Sequence, residues 1–462
     1  MTTSRGIPAE EAQKALSEDL DHVWHPLLQH KTLRENPPLL MVAGHGATVV
    51  DAEGREYIDA FAGLWCVNVG YGRTEIAEAA YEQLRKLAYY PHTQANVPAA
   101  LLADRVSRLA GMEHTYFVNS GSEANEAAFK LARQYHKNRG QPERYKIIGR
   151  YYAYHGTTLA TLAAGGLPER RVKYEPMPDG FLHAPPAYCY RCPFGQKYPS
   201  CGLACARYIE YMIEAEGPET VAAIVMEPIQ SGVGVLVPPD EYLPTVAEIA
   251  RRHGVLLIID EVINGFGRTG RWFAHQHYGI RPDLMAVAKG ISSGYLPLAA
   301  TLATDEVFQG FLGDPAEGRH AMQVNTWGGH AGACAAALKN IELMEREDLV
   351  GNAERVGAHL IAGLRSLSHH RWFGEVRGKG LLAALELVED PDTRRPLAGA
   401  LLNRIAAACQ ARGVIVGKYA GWSASGVGTG TALLFSPPLV LTREEADRIV
   451  AVVDEALREV GG

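Results

Sequence analysis

Residues 256–289 constrain this chain more than any others. They read LLIIDEVINGFGRTG, then RWFAHQHYGIRPDLMAVAK. Residues 255–259 form an unbroken apolar run between Gly254 and the acidic pair Asp260 and Glu261. A run this short and this apolar fits a strand buried on both faces, as in a parallel sheet. A second apolar run, residues 284–288, ends in Lys289. An acid and an amine are therefore expected at the ends of two buried strands. In open α/β sheets, ligands bind beyond the carboxyl ends of the strands. Val262 lies two residues after Asp260 and shares its side while the chain stays extended. A lone Asp or Lys is usually a capping or solvated residue. A lysine between an apolar strand and Gly290 is poorly placed for a surface role.

One cofactor needs that pair. Pyridoxal phosphate (PLP) requires a lysine to bond its aldehyde and a carboxylate to keep its pyridine nitrogen protonated. Each charge favours the ionised form of the other. The stretches IIDEVINGFGRTG and DLMAVAKGISSGYLPLAA resemble the signature of class III aminotransferases, of PLP fold type I. The similarity continues through nearly the whole chain. It implies an α/β protein whose large domain has a mostly parallel central sheet with helices on both faces. A smaller α+β domain, built from both termini, completes it. The expected limits are 1–70 for an N-terminal arm and part of the small domain, 71–330 for the large domain, and 331–462 for the rest of the small domain.

Composition agrees with an ordinary globular enzyme. The chain has 462 residues, enough for at least two domains, with 47% hydrophobic and 21% charged residues. Net charge is 45 minus 52, or −7, so no basic field for nucleic acid is present. No apolar run reaches the ~18 residues that a membrane span needs. The N-terminus MTTSRGIPAEEAQKALSEDL has no apolar core of a signal peptide, and a cytoplasmic location is expected.

Further site residues come from motif and resemblance together. Residues 115–118 read as a strand running into NSGSEANEAAFK, a helix from about residue 123. Gly121 and Ser122 stand at its N-terminus, where free N–H groups and the helix dipole attract an anion. Alone this is a capped helix; beside a PLP lysine it becomes a phosphate cradle. The spacing does not fit a dinucleotide fingerprint. The resemblance places Tyr154 and His155, in YHG, at the face of the pyridine ring, with Val262 beside it. It places Glu227, after the apolar run 221–226, near Asp260. It assigns Thr326, in QVNTWGGH, to the phosphate in a neighbouring subunit, which implies a homodimer with shared sites; pairing of dimers into a tetramer stays open. Trp65 is either a core anchor or a wall of the substrate pocket, and the resemblance favours the wall. Tyr89 and Tyr90 approach the site in the same scheme. Arg268 and Arg271 are expected to be structural. Shorter elements are expected at 10–20 (helix), 39–59 (antiparallel strands), 145–150 (strand), 241–253 (helix), and 376–387, 414–418 and 432–436 (strands).

The expected chemistry is ping-pong transamination. Lys289 moves the proton, with its pKa lowered by nearby positive charge and partial desolvation. Relatives that use 2-oxoglutarate usually carry Gln after the DEV triplet, where this chain has Ile263. That favours pyruvate as acceptor. Many amine–pyruvate relatives carry a mobile Arg where this chain has Gly417 and Lys418, so Lys418 is the candidate for the acceptor carboxylate. The GK variant is similar to taurine–pyruvate transaminases. The expected activity moves an amino group from an ω-amino acid or primary amine to pyruvate. A 2-oxoglutarate enzyme, a PLP aminomutase or decarboxylase, and a non-catalytic scaffold on this fold are the alternatives.

Seven cysteines include a cluster, CYRCPFGQKYPSCGLAC, in an insertion at 185–206. Cys189, Cys192, Cys201 and Cys205 could hold zinc through four thiolates, form disulfides, or stay reduced. In each case the cluster reads as structural.

Overall fold

The structure, a computed structural model, describes residues 7–421 and 430–461. Residues 1–6 of the expected arm and 422–429 of the expected small domain lie outside the described residues.

A seven-stranded sheet organises the molecule. In spatial order its strands are His114–Val118, Ala299–Ala303, Leu284–Val287, Leu256–Asp260, Val221–Met226, Lys146–Arg150 and Phe181–Ala184. The last five run parallel. Ala299–Ala303 is antiparallel to both of its neighbours. The three central strands are apolar up to Asp260 because both faces are covered. Leu257 and Ile259, with Ile148 and Ile224, pack with the helices Ala204–Glu216 and Tyr242–His253. Leu256 and Ile258, with Ile147, Ala223 and Val225, pack with the helix Gly121–Asn138 on the other face. Side chains alternate along a strand. Asp260 has the parity of Leu256 and Ile258, so it turns toward the helix Gly121–Asn138.

Two smaller sheets complete the chain. Met41–His45, Thr48–Asp51 and Glu56–Asp59 form the expected antiparallel strands. Val414–Ile415 adds to Glu56–Asp59 in parallel, so sequence-distant segments share one sheet. Phe373–Gly378, Ala383–Asp390, Thr431–Phe435 and Gly417–Ala420 form an antiparallel sheet. Two expected strands are thereby divided. The stretch 376–387 turns at Gly380, whose φ of 59° is left-handed, and makes a hairpin. The stretch 414–418 passes from one sheet to another. The helix Ala331–Arg346 packs on the helices Thr74–Lys86 and Val97–Ala110, and one core runs from Ala60 through Phe266 to Leu457. Arg268 is fully buried where the parts meet. It donates to the carbonyls of Leu381 (3.2 Å) and Pro437 and to Asn68 Oδ1 (2.6 Å), the structural role expected of it. Among the described residues, no helix is long and apolar enough to cross a membrane.

Candidate active site

The strand Leu256–Asp260 pairs in parallel with Leu284–Val287, with Asp260 opposite Ala286. Asp260 and Lys289 therefore leave the same edge of the sheet. Both line one enclosed cavity with Gly121, Ser122, Asn125, Tyr154, His155, Gly156, Glu227, Val262 and Ile263. A wider open depression, about 1010 Å³, lies at the cysteine segment, lined by Tyr151, Cys192, Tyr198 and Arg394 among others. The small cavity, not the wide depression, holds the paired groups.

Asp260 is buried and closely held. Its Oδ2 accepts from Asn125 Nδ2 at 2.8 Å and lies 2.8 Å from His155 Nδ1, a contact a carboxylate makes by accepting the ring N–H. Its Oδ1 accepts the Val262 N–H at 3.0 Å. That bond closes a tight turn straight after the strand, so Val262 reaches its position through the turn and not through strand alternation. Val262 then packs against Gly121: a Cβ there would lie 2.9 Å from Val262 Cγ1.

The helix Gly121–Asn138 begins at the cavity. Ser120 Oγ accepts the Glu123 N–H at 3.2 Å, and Glu123 Oε2 accepts the Asn119 N–H at 2.6 Å. The Ser120 hydroxyl caps the helix, and Glu123 ties down the residue before it. The N–H groups of Gly121 and Ser122 have no intrahelical acceptor by geometry and face an anion's place. Ser122 Oγ accepts the Thr157 N–H at 3.0 Å, which ties this turn to the YHG loop. Gly156, at φ 145°, has no room for a side chain: its Cβ would lie 2.5 Å from Ser122 Oγ.

Lys289 follows the strand at φ 47°, a left-handed conformation that lysine rarely adopts. Such strain is typical of functional positions. Burial pulls its amine below the usual lysine range; Cys66, Asp260 and Glu227 oppose that shift. The lowering thus comes from desolvation. The positive charge expected to share in it is replaced by acidic neighbours. Burial, then the charge of Asp260, pushes the Glu227 carboxyl up to about 8, while the Arg150 charge pulls it down. Arg150 Nη2 also donates to the Glu227 carbonyl.

The other expected residues fall into three groups. Trp65 packs at a tilt on Phe61, ring centroids 4.4 Å apart and planes at 60°, in an apolar cluster that includes the cavity residue Ile263. Tyr89, Tyr90 and Thr326 are exposed and apart from the cavity; the Tyr89 hydroxyl donates to the Thr326 carbonyl at 2.7 Å. Lys418, expected to meet the acceptor carboxylate, lies apart from this cavity. It is exposed, and its amine donates to Asn403 Oδ1 at 2.6 Å. Strand alternation explains this, because Tyr419 takes the inward face and packs in the cluster with Trp65. For the cysteine cluster, zinc, disulfides and reduced thiols are the three expected alternatives. Cys189, Cys192, Cys201 and Cys205 are free thiols. Among the described residues, the one group of three metal-ligand atoms within 4.8 Å of one another is His369, His370 and Asp454.

Asn125, Gly156 and Cys66 escape sequence reading. Asn125 stands one helical turn after Gly121, the single signal that could have found it.

The residues present fit PLP. His155 Nε2, Asn125 Oδ1 and Glu227 Oε2 are buried polar atoms without a protein partner. Glycines at 121 and 156 leave a cradle that a Cβ would fill. An acid and a desolvated amine at the strand ends of this sheet define a transferase that works with that cofactor. The chain matches the aminotransferase class-III family over residues 31–457. It is 46% identical over 452 residues to the uncharacterized aminotransferase YhxA of Bacillus subtilis (strain 168), covering 98% of each chain. It is 41% identical over 446 residues to a taurine–pyruvate aminotransferase of Bilophila wadsworthia, covering 96% of each. A thermostable (S)-enantioselective omega-transaminase from Thermomicrobium roseum superposes with a TM-score of 0.91 at 40% identity, covering 99% of both chains. The chain belongs to the class III aminotransferases, and its cofactor is pyridoxal 5′-phosphate.

Proposed function

We propose that this aminotransferase moves an amino group from an ω-amino acid or primary amine to pyruvate. Donors of the taurine, β-alanine, 4-aminobutyrate or aryl and alkyl amine type fit this reading. One observation carries it. Ile263 lines the cavity beside Lys289 and belongs to an apolar cluster, so this wall has no polar group for the second carboxylate of a dicarboxylic acceptor. The relative from Bilophila wadsworthia, a taurine–pyruvate aminotransferase by name, supports the same acceptor.

When bound, PLP supplies an electron sink for the carbon that bears the amine. The chain's own groups then divide the work. Lys289 Nζ, kept weakly basic by desolvation, takes the proton from the donor's amine-bearing carbon and gives one back. Asp260, oriented by Asn125 and His155, faces the ring nitrogen. Gly121 and Ser122 hold the phosphate with backbone N–H groups. Tyr154, His155 and Val262 flank the ring, and Glu227 stays protonated beside Asp260. Trp65 walls the donor side. Thr326, exposed with Tyr89 and Tyr90, reaches the site of a partner subunit, which makes the working unit a homodimer. Lys418, outside this cavity, is kept as the candidate group for the acceptor carboxylate. The same reading places the enzyme in the cytoplasm, where four thiols so close in sequence stay reduced.

The test is a two-way screen of PLP-loaded enzyme. Taurine, β-alanine and an aryl alkyl amine are each paired with pyruvate and with 2-oxoglutarate, and alanine or glutamate is quantified. The expected result is a kcat/KM for pyruvate at least about tenfold above that for 2-oxoglutarate. A faster reaction with 2-oxoglutarate overturns the acceptor, and carbon dioxide or an isomer as product overturns the reaction class.

A further inference from the structure

Residues 62–65 run against the normal handedness of the chain. Ala62, Gly63, Leu64 and Trp65 have φ values of 45°, 53°, 70° and 62°. L-residues avoid that region because Cβ crowds the following carbonyl, and consecutive residues there are rarer still. Only Gly63 is free of the penalty. Something outside the turn must therefore enforce it.

Asp59 is placed to do so. It ends the strand Glu56–Asp59 and is 4% exposed. Its Oδ1 accepts the Phe61 N–H at 2.9 Å, and its Oδ2 accepts the Gly63 N–H at 2.7 Å and the Tyr71 hydroxyl at 2.5 Å. The turn closes on itself through Trp65 N–H to the Phe61 carbonyl (2.9 Å) and Cys66 N–H to the Ala62 carbonyl (2.8 Å). The parallel partner Val414–Ile415 fixes Asp59 from behind.

The turn places two side chains next to residues of the candidate site. Trp65 packs in the cluster of the cavity residue Ile263, and its indole Nε1–H is buried without an acceptor. Cys66, the next residue, acts electrostatically on the Lys289 amine. Neither placement survives if residues 62–65 relax to right-handed φ, because the Cα–Cβ directions change with it.

We propose that Asp59 is a positioning residue for substrate selection: it holds the left-handed turn that sets where Trp65 stands, and thereby the width of the donor side of the pocket. This rests on the reading that the cavity at Lys289 accepts an amine donor.

The test compares donors. Wild-type, Asp59→Asn and Tyr71→Phe enzymes, all loaded with PLP, are assayed with pyruvate and either a small ω-amino acid or a bulky aryl alkyl amine. The expected result is a change of about tenfold or more in the kcat/KM ratio of the two donors. Bound cofactor still shows visible absorbance, because none of Asp260, Lys289, Gly121 and Ser122 is substituted. Ala62→Gly, which removes one left-handed penalty, should return the ratio of Asp59→Asn partway toward wild type. Where Asp59→Asn does not yield folded enzyme, Tyr71→Phe carries the test, since it removes one donor to the same carboxylate. An unchanged donor ratio in a folded, cofactor-loaded variant overturns the proposal. Failure of wild-type enzyme to transaminate any donor overturns the underlying reading instead, and the two failures are distinct.

Discussion

His155 Nδ1 lies 2.8 Å from Asp260 Oδ2, with both side chains buried, and Asn125 Nδ2 donates to the same oxygen at 2.8 Å. Two donors on one oxygen stop the carboxylate from rotating. The other oxygen carries one backbone N–H and keeps capacity for a further donor. The carboxylate is thus aimed before any ligand arrives, which is how electrostatic preorganisation works.

Asn125→Ala removes one of the two donors. A hydrogen bond to a charged group is worth about 1.5–3 kcal/mol. Cofactor affinity should therefore fall roughly tenfold to a hundredfold. Titration of apoenzyme with PLP, followed by absorbance, measures it. Unchanged affinity would show that His155 alone suffices.

Gly121→Ala should weaken cofactor binding by about an order of magnitude, because its Cβ would sit 2.9 Å from Val262 Cγ1 and displace it. Val262→Ala in the same chain frees that space. The double variant should recover much of the loss, a coupling that a double-mutant cycle reads directly. Strict additivity would place the damage elsewhere.

Glu227 links stability to pH. Its carboxyl titrates at about 8 in the folded protein and near ~4.3 unfolded. Across that interval the folded state holds the extra proton. The group's contribution is fully present below the unfolded value and is lost as pH rises through the folded one. Glu227→Gln stays neutral throughout. Apoenzyme Tm should fall more steeply for wild type than for Glu227→Gln between about pH 6 and pH 9. Parallel Tm curves would refute the assignment.

A shared site predicts complementation. Lys289→Ala enzyme should be inactive, and Thr326→Ala enzyme impaired in cofactor retention. In a mixed dimer, one site receives both defects and the other receives neither. Unfolding and refolding the two variants together should therefore restore activity toward about a quarter of wild type, from random pairing with one intact site in half of the molecules. Activity no greater than the separate variants would place Thr326 outside the partner's site.

Much of the site's outline is legible in the chain because Asp260, Glu227 and Lys289 each end an apolar run. Such runs fit doubly covered strands, and strand ends are where ligands bind. Gly121 and Ser122 are legible for a similar reason, as a cap directly after a strand. Asn125 is not, because its partner is a strand far along the sequence and its one-turn spacing from Gly121 does not reveal that partner. The surroundings of Lys418 are not legible, because the stretch 414–418 looks like one strand. The chain changes sheets after Ile415, and Tyr419 takes the inward face of the new strand. The turn at 62–65 is hidden too. FAGLWC carries one glycine, and the other three left-handed residues are held by Asp59 through contacts that local propensity does not encode.

The pairing of Val414–Ile415 with Glu56–Asp59 also orders events during synthesis. A ribosome releases Asp59 long before its partner strand exists. Until Ile415 emerges, that edge is open, and the reversed-handed loop beside it lacks its backing. A chain that stopped shortly before residue 414 would own Lys289 and Asp260 yet lack the strand that pairs with Glu56–Asp59.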